Sequence, residues 1–212
     1  MESENFNFKN SILTDIQYFG TVNWYKLLFP FLNIKIEQYE TYQKMSFRNR
    51  TIIAGSNGLI NLSVPLEKGR SQKLLLKEVE ISYSEKWQEL HWRSIKSCYG
   101  NSPFFEYYEN SLYLQFQKKP KYLLDLNLNL IEWVCPHLKL KSKFELTSMY
   151  QTVLTPEIVD FRNILKPNTP LKEPSEIICY TQVFEDRVGF KPNLSILDLL
   201  FCVGPASNSL LK

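Results

Sequence analysis

The stretch from residue 84 to residue 108 constrains the fold most strongly, because its apolar side chains recur at the spacing of a helix. One helical face carries these residues: Trp87, Leu90, His91, Ser94, Ile95 and Cys98. Ser84 is placed to cap the first turn, and Gly100-Asn101 predicts a left-handed end. Ser102-Pro103 predicts a second helix, with Ser102 as its cap and Pro103 at its first position. His91 therefore projects from a largely apolar face.

The beginning of the chain predicts a strand, a loop and a helix. Residues 11–16 are β-like, residues 17–20 end in a glycine, and residues 24–31 predict a short helix that stops near Pro30. Residues 34–40 then alternate with the period of a half-buried strand. This order opens many α/β domains, in which ligands meet the carboxyl ends of the strands. An ordinary connecting loop is the alternative interpretation of residues 17–20.

Asn57-Gly58 predicts a β-hairpin, because both residues tolerate positive φ and both are flanked by β-like runs. The two predicted strands are residues 51–55 and 59–66, with Pro65 at the end of the second strand or at an edge. Residues 78–83 alternate as a further strand that leads directly into the helix of the first stretch.

The second half of the chain predicts helices, a connector and one more strand. Residues 122–135 form an amphipathic helix that Pro136 ends, and residues 155–157 open a short helix. Three prolines mark residues 166–174 as an extended connector, after which residues 177–184 return to strand. Residues 192–201 predict a buried helix with the capping-box pattern Ser195-x-x-Asp198.

The predicted fold class is α/β, with a mixed α+β arrangement as the alternative. It comprises an N-terminal βα unit, a mixed sheet with the Asn-Gly hairpin, several packed helices, and a C-terminal strand plus a buried helix. The chain has 212 residues and a hydrophobic content of 44%, which is that of an ordinary globular protein. We predict one domain, residues 1–212.

Charge and composition narrow the class of protein. A net charge of +3, from 25 basic and 22 acidic residues, does not suggest a nucleic-acid binder. The first ten residues lack the basic and apolar regions of a signal peptide, and no apolar run approaches the roughly 20 residues that span a bilayer. The four cysteines are scattered, which is typical of reduced thiols. We therefore predict a cytoplasmic protein without a membrane span.

Candidate site residues cluster in two stretches. His91 has an unperturbed pKa near 6.5 that suits a general base, although a lone histidine on an apolar helix face is more often a hydrogen-bonded core residue. Arg48 and Arg50 face the same way if they lie on one strand, with Asn49 turned away, so both guanidiniums can clamp a phosphate or carboxylate. We predict that they converge with His91 on one anion-binding cleft. A solvated strand end is the alternative interpretation of these arginines.

Other chemistries have little support in the sequence. Neither histidine has a cysteine, histidine or carboxylate at a recognisable ligand spacing, so no metal site is predicted. Cys98 lies about two turns from His91, too far for a thiol–imidazole pair on one helix. Serine-hydrolase and Walker signatures are absent, and no cofactor is predicted.

The chain resembles the WbqC-like protein family in a series of short stretches. The first half of the resemblance lies in Thr41-Tyr42-Gln43-Lys44, Phe47-Arg48-Asn49-Arg50, Ala54-Gly55-Ser56-Asn57-Gly58 and Ser63-Val64-Pro65. The central block contributes Trp87, Leu90-His91-Trp92-Arg93-Ser94-Ile95 and residues 99–105. Further stretches are residues 124–127, Tyr180-x-Gln182-Val183-Phe184 and residues 189–201. The family often has a histidine-glutamine-proline sequence after its first strand, whereas this chain has Asp15-Ile16-Gln17-Tyr18 there.

The resemblance implies a role in bacterial surface-polysaccharide biosynthesis (O-antigen or capsule), as a transferase acting on an activated or amino sugar, with acyl or aminoacyl transfer as one form. No catalytic residues carry over from the family.

From chemistry alone we expect His91 to deprotonate the acceptor, and Arg48, Arg50 and Arg93 to bind an anionic small molecule such as a nucleotide-sugar. Asn49 and Tyr18 would orient the sugar, with Trp87 or Trp92 against its apolar face. The alternative is a non-catalytic protein that binds a sugar nucleotide or a partner enzyme. The sequence is compatible with a homo-oligomer.

Overall fold

A four-stranded parallel sheet forms one layer of the protein. The computed structural model describes residues 9–69, 71–167 and 177–212. Strands β1 (Lys9–Thr14) and β2 (Phe31–Ile36) pair in parallel, and the helix α1 (Val22–Leu28) connects them. This arrangement confirms the predicted βα unit. Strand β5 (Lys143–Leu146) adds beside β2 and strand β6 (Ile158–Asp160) adds beside β1, giving the order β5-β2-β1-β6.

The parallel arrangement brings four strand ends to one edge of the sheet. The residues that directly follow the strands there are Asp15, Glu37, Thr147 and Phe161. Parallel sheets bind ligands at this carboxyl edge, so the polar groups in these loops are the first place to look for a site.

The Asn-Gly hairpin is confirmed as a separate antiparallel pair. Strands β3 (Arg50–Gly55) and β4 (Gly58–Ser63) pair from Arg50 opposite Ser63 to Gly55 opposite Gly58. Ser56 and Asn57 are the central turn residues, and Gly58, with a φ of 121°, begins β4. The conformational freedom that the turn requires therefore lies at Gly58.

The predicted strand at residues 78–83 is wrong. Residues Leu76–Glu78 form a 3-10 turn, and the following segment makes only single bridges, Leu66 with Ile81 and Glu80 with Tyr122. Its backbone N–H groups bond to carbonyls on two different neighbours, Lys121 and Pro65, so a continuous ladder does not form.

Two helices follow, α2 (Trp87–Tyr99) and α3 (Phe105–Gln117). The buried face of α2 consists of Trp87, His91, Ile95 and Tyr99, whereas Leu90 is 53% exposed. The predicted buried face is thus confirmed for Trp87, His91 and Ile95, and it is wrong for Leu90.

The predicted ends of these helices differ from the structure. Ser84 does not cap α2, because its hydroxyl lies 3.1 Å from that of Ser82. Gly100 has a right-handed φ of −54°. Ser102 donates to the carbonyl of Tyr99 at 2.7 Å instead of capping α3, which begins at Phe105. Side-chain bonds to nearby backbone groups therefore compete with capping here.

Helix α4 (Leu123–Leu138) runs through Pro136, so its predicted end at residue 135 is three residues early. The proline lies in the last turn, where its missing N–H removes a single intrahelical bond. Lys139, with a φ of 53°, ends the helix in the left-handed conformation that closes many helices.

The last third of the chain departs from prediction in two places. Residues 155–157 precede β6 and are not helical, and residues 177–184 form no strand. Residues 168–174 of the predicted connector lie outside the described residues. Three further helices are α5 (Glu185–Val188), α6 (Ile196–Val203) and α7 (Ser207–Leu211).

Helix α6 is the buried helix that the sequence predicts. The Ser195 hydroxyl accepts from the Leu197 N–H as a cap, whereas Asp198 accepts from the Tyr99 hydroxyl at 2.7 Å and does not complete a capping box. Leu197 and Leu200 are fully buried in a cluster that includes side chains from the parallel sheet, the hairpin and the helices. Within the described ranges, no helix has the length and apolar character to cross a membrane.

Replacing Gly58 by valine is expected to lower the free energy of unfolding by about 1–3 kcal/mol, because a β-branched residue at a φ of 121° is strained. A Cβ atom there would meet nothing within 4 Å, so the loss would come from the backbone alone. Urea denaturation measures it. Ser56→Val, in the same turn at negative φ, is the control, and equal stability of the two variants would contradict the turn assignment.

Replacing Leu197 by alanine is expected to cost about 2–5 kcal/mol of unfolding free energy, because the side chain is fully buried. Leu114→Ala on α3 is the matched control, since that leucine is 62% exposed. Denaturant titration of both variants gives the comparison. A loss at Leu197 no larger than at Leu114 would place α6 outside the core.

Candidate functional site

A group of charged and amide side chains, most of them buried, occupies the carboxyl edge of the parallel sheet, and we call it the sheet-edge cluster. Its members come from the loops after β1, β2 and β6 and from the turn before β3. They are Asp15, Glu37, Glu40, Arg48, Arg162 and Asn163. The chain brings them together from sites more than 140 residues apart, as in the contact of Asn163 with Asp15.

Arg48 lies at the centre of this cluster. It belongs to the 3-10 turn Phe47–Asn49 and is 1% exposed. Its guanidinium donates two hydrogen bonds to Glu40, Nε to Oε1 at 2.7 Å and Nη2 to Oε2 at 2.6 Å. Nη2 also donates to Asn163 Oδ1 at 2.9 Å, and Nη1 lies 3.5 Å from Asp15 Oδ2. Arg48 is therefore fully engaged by protein groups and is not open to an external anion.

The two carboxyl groups beside Arg48 have raised pKa values. For both Asp15 and Glu40, burial away from water is the main cause, and the attraction of the Arg48 charge opposes it. Asp15 Oδ1 accepts from the Asn163 N–H at 3.0 Å, while Oδ2 has no hydrogen bond beyond its long ion pair with Arg48. A carboxyl oxygen with a raised pKa and no donor hydrogen-bonded to it is suited to accept a proton.

Glu37 contrasts with Asp15, because the protein satisfies both of its oxygens. Oε1 accepts from the Thr147 hydroxyl at 2.8 Å and from the Tyr39 N–H at 3.0 Å. Oε2 accepts from the Gln151 N–H at 3.1 Å and from Arg162 at 3.3 Å. Glu37 thus ties the ends of β2 and β5 to the loop after β6, which is a structural role.

The free oxygen of Asp15 indicates which ligands fit the cluster. Three buried carboxyl groups, on Asp15, Glu37 and Glu40, face two guanidinium groups, on Arg48 and Arg162. Lys166 adds a further positive charge that acts on Asp15, so these charges do not select a ligand by its sign. A hydroxyl or amine can donate to the free Asp15 oxygen. In the part of the chain that the structure describes, no three His, Cys, Asp or Glu side chains are arranged to hold a metal ion.

His91 lies in a different, largely aromatic environment. Its Nδ1 accepts from the Tyr18 hydroxyl at 3.0 Å, which leaves Nε2 to donate to the backbone carbonyl of Ser63. The Trp87 ring packs edge-on at 5.2 Å, and His91 is 5% exposed. Burial lowers its pKa from 6.5 to about 4, so the imidazole is neutral at pH 7. Both nitrogens are occupied, which does not favour the predicted role as a general base.

The structure brings Tyr18, Trp87 and His91 together but does not join them to the arginines. Among the described contacts, none links His91 to Arg48 or Arg50. Arg48 and Arg50 do not share one strand, because Arg48 lies in the 3-10 turn and Arg50 begins β3. The prediction that the two guanidiniums face the same way on a strand is therefore wrong.

The other predicted binding residues separate into two groups. Asn49 is buried and structural, since its side chain accepts from Tyr42 at 2.9 Å and donates to the Val64 carbonyl at 2.9 Å. Arg93 and Trp92 instead line a surface groove between α2 and α3, where Arg93 contacts Glu89 at 3.2 Å. Ligand binding by Asn49, Arg93 and Trp92 stays a prediction.

Sequence reasoning missed Asp15, Glu37, Glu40 and Arg162, although a usable signal was present. The predicted strands, residues 11–16 and 34–40, include Asp15, Glu37 and Glu40. In the structure the two strands end earlier, at Thr14 and Ile36. Polar residues directly after parallel strands meet at one edge, so earlier strand ends would have grouped Asp15 with Glu37. Arg162 follows a strand that the sequence did not indicate.

The fold and the sheet-edge cluster define an α/β protein with a buried polar centre at the carboxyl edge of a parallel sheet. The chain belongs to the WbqC-like protein family, because a sequence model of that family matches residues 33–166, more than half of the 212 residues. The match includes Glu37, Glu40, Arg48 and Asn163, and it begins after Asp15. The chain has no significant match among curated proteins or among solved structures.

The contribution of His91 to folding stability is expected to fall as the pH drops from about 6.5 toward about 4, because His91 gains a proton in the unfolded chain before it does in the folded protein. Between pH 7.5 and pH 5.0 the unfolding free energy that His91 contributes is expected to decrease by about 2 kcal/mol. Urea denaturation at both pH values measures it in the wild type and in His91→Asn.

The difference between these two proteins isolates His91, because the raised pKa values of Asp15 and Glu40 contribute the opposite slope equally to both. His137→Asn is the control and should keep most of the loss, since His137 is only half-buried. An identical pH dependence in wild type and His91→Asn would mean that folding does not lower the pKa of His91.

Proposed function

We propose that this protein is a transferase of bacterial surface-polysaccharide biosynthesis that transfers an acyl or aminoacyl group to an amino sugar or another activated sugar. Membership of the WbqC-like family supports the pathway. One observation carries the reaction type: Asp15 Oδ2 is a buried carboxyl oxygen with a raised pKa and no hydrogen bond, at the carboxyl edge of a parallel sheet.

Asp15 acts as the general base in this proposal. As the acceptor nitrogen or oxygen forms its bond to the acyl carbon, its proton passes to Asp15 Oδ2, and the bond to the donor's leaving group breaks with its electron pair. The raised pKa makes Asp15 a stronger base than an ordinary aspartate. The positive charge of Arg48, 3.5 Å away, opposes this rise in the pKa of Asp15.

Access to Asp15 requires the loop after β6 to move. Asn163 covers the carboxyl group by donating to Oδ1 at 3.0 Å and by accepting from Arg48 at 2.9 Å, with its own backbone at a φ of 61°. A strained residue that is held by two polar contacts can be displaced by a substrate that replaces them. The acceptor amine or hydroxyl supplies such a replacement.

A non-catalytic sugar-nucleotide-binding or partner-binding protein of the same pathway is the second candidate. The burial of the cluster favours it, because Asp15 is 2% exposed and Arg48 1% exposed. Buried ion pairs of this kind also occur as purely structural features.

Replacing Asp15 by asparagine is expected to lower kcat by about a hundredfold or more while ligand binding is retained, because the general base is lost and the shape is kept. Purified protein would be incubated with nucleotide-activated amino sugars and thioester acyl donors, and mass spectrometry would detect the acylated sugar. Asp125→Asn is the matched control, since that carboxyl group is exposed on α4 and distant in sequence from the cluster.

Two outcomes would contradict the transferase. One is full turnover by Asp15→Asn. The other is the absence of any acylated product from the wild type although a sugar nucleotide binds, which would favour the second candidate. Deletion of the gene in its own host tests the pathway separately, because normal surface polysaccharide in the deletion strain would exclude both candidates.

A further inference from the structure

A surface groove of about 340 Å³ lies between α2 and α3, on a part of the protein that the sheet-edge cluster does not use. Its wall is aromatic and is formed by Tyr83, Trp92, Tyr113 and Phe116. The Trp92 ring lies 5.1 Å from that of Tyr113 and 6.0 Å from that of Phe116. Tyr113 is 43% exposed and Trp92 is half-buried, so these two rings are open to a ligand, whereas Phe116 is buried beneath them.

The rim of the groove is polar and carries three basic residues, Lys86, Arg93 and Lys119, and two acidic residues, Glu85 and Glu89. Glu89 contacts both Lys86, at 3.8 Å, and Arg93, at 3.2 Å. Gln88 and Gln117 add amide groups that both donate and accept. Because Glu89 engages two of the three cations and the rim is rich in hydrogen-bonding groups, it suits a ligand with many hydroxyl groups.

A small cavity of about 10 Å³ adjoins the inner end of the groove, with which it shares Gln88 and Phe116. Trp87 and Gln115 also line it. Trp87 Nε1 and Gln115 Oε1 are buried and have no hydrogen-bond partner among the described residues. An orphaned donor and an orphaned acceptor around a space of this size match a single hydroxyl group, which accepts from one and donates to the other.

We propose that this groove binds a saccharide. A pyranose ring packs its apolar face on Trp92 and Tyr113, and its other hydroxyl groups contact the amides and charges of the rim. One hydroxyl enters between Trp87 and Gln115 and satisfies both. This site is separate from Asp15, and it holds whether the sheet-edge cluster is catalytic or structural.

The test titrates the full chain with cellobiose and with methyl β-D-glucoside, using saturation-transfer NMR and tryptophan fluorescence. Millimolar binding is expected for an open groove. Tyr113→Ala should weaken it about three- to tenfold, because an aromatic contact is lost. Tyr107→Ala is the matched control on the same helix, since Tyr107 is 70% exposed and lies outside the groove.

A second variant tests the hydroxyl site by itself. Trp87→Phe keeps the aromatic ring and removes the N–H, so it should weaken methyl glucoside binding about three- to tenfold. In a series of monodeoxy methyl glucosides, one analogue should bind wild type and Trp87→Phe equally, because it lacks the hydroxyl that Trp87 recognises. Thermal melts of each variant confirm that it is folded.

Three results would overturn the proposal. The first is no detectable saccharide binding at millimolar concentrations. The second is equal binding by wild type, Tyr113→Ala and Trp87→Phe. The third is binding of uridine diphosphate in the groove, detected by its dependence on Arg93 and Tyr113, without binding of either saccharide. Transferase activity enters none of these readouts, so failure of the groove and failure of the proposed reaction are distinguishable.

Discussion

The buried guanidinium of Arg48 is the interaction on which the carboxyl edge of the sheet depends. It joins the loop after β1 through Asp15, the loop after β2 through Glu40, and the loop after β6 through Asn163. Its backbone carbonyl also accepts from Asn127 of α4 at 2.8 Å. Leaving one partner of such a buried ion pair uncompensated costs about 3–5 kcal/mol. The ion pair therefore fixes the loops at the strand ends relative to one another.

Hydrogen bonds of two buried side chains, His91 and Tyr99, anchor α2 to the rest of the molecule in a similar way. His91 accepts from Tyr18 of the loop after β1 near one end of the helix, and at the other end Tyr99 accepts from the Ala54 N–H and donates to Asp198. Both pairs satisfy polar groups that would otherwise be costly in the core. The same packing places the orphaned Trp87 N–H beside a small cavity rather than beside a protein acceptor.

Sequence reasoning identified elements well where a local signal is strong. The βα opening, the Asn-Gly hairpin, the helix around His91 and the buried C-terminal helix are all present. Helix ends were predicted poorly, because Ser102 bonds to the preceding Tyr99 carbonyl and Pro136 is tolerated in a last turn. Strands β5 and β6 were missed, since strands of four and three residues carry too few side chains for a periodic signal. The opposite error occurred at residues 78–83, where apolar and polar residues alternate as in a strand but the segment makes only isolated bridges.

The sequence by itself determined the family and the presence of a βα unit, a hairpin and an amphipathic helix carrying His91, because short-range spacing and turn chemistry encode these features. Only the tertiary structure decided what the charged residues do. Arg48 and Arg50, neighbours in sequence and similar in chemistry, differ because Arg48 meets Glu40 and Asp15 in the core while Arg50 begins a strand. The free oxygen of Asp15 and the groove beside Trp92 likewise arise from contacts between distant segments. Burial and charge pairing are properties of the assembled chain, and they set the pKa values and the open surfaces that no local pattern specifies.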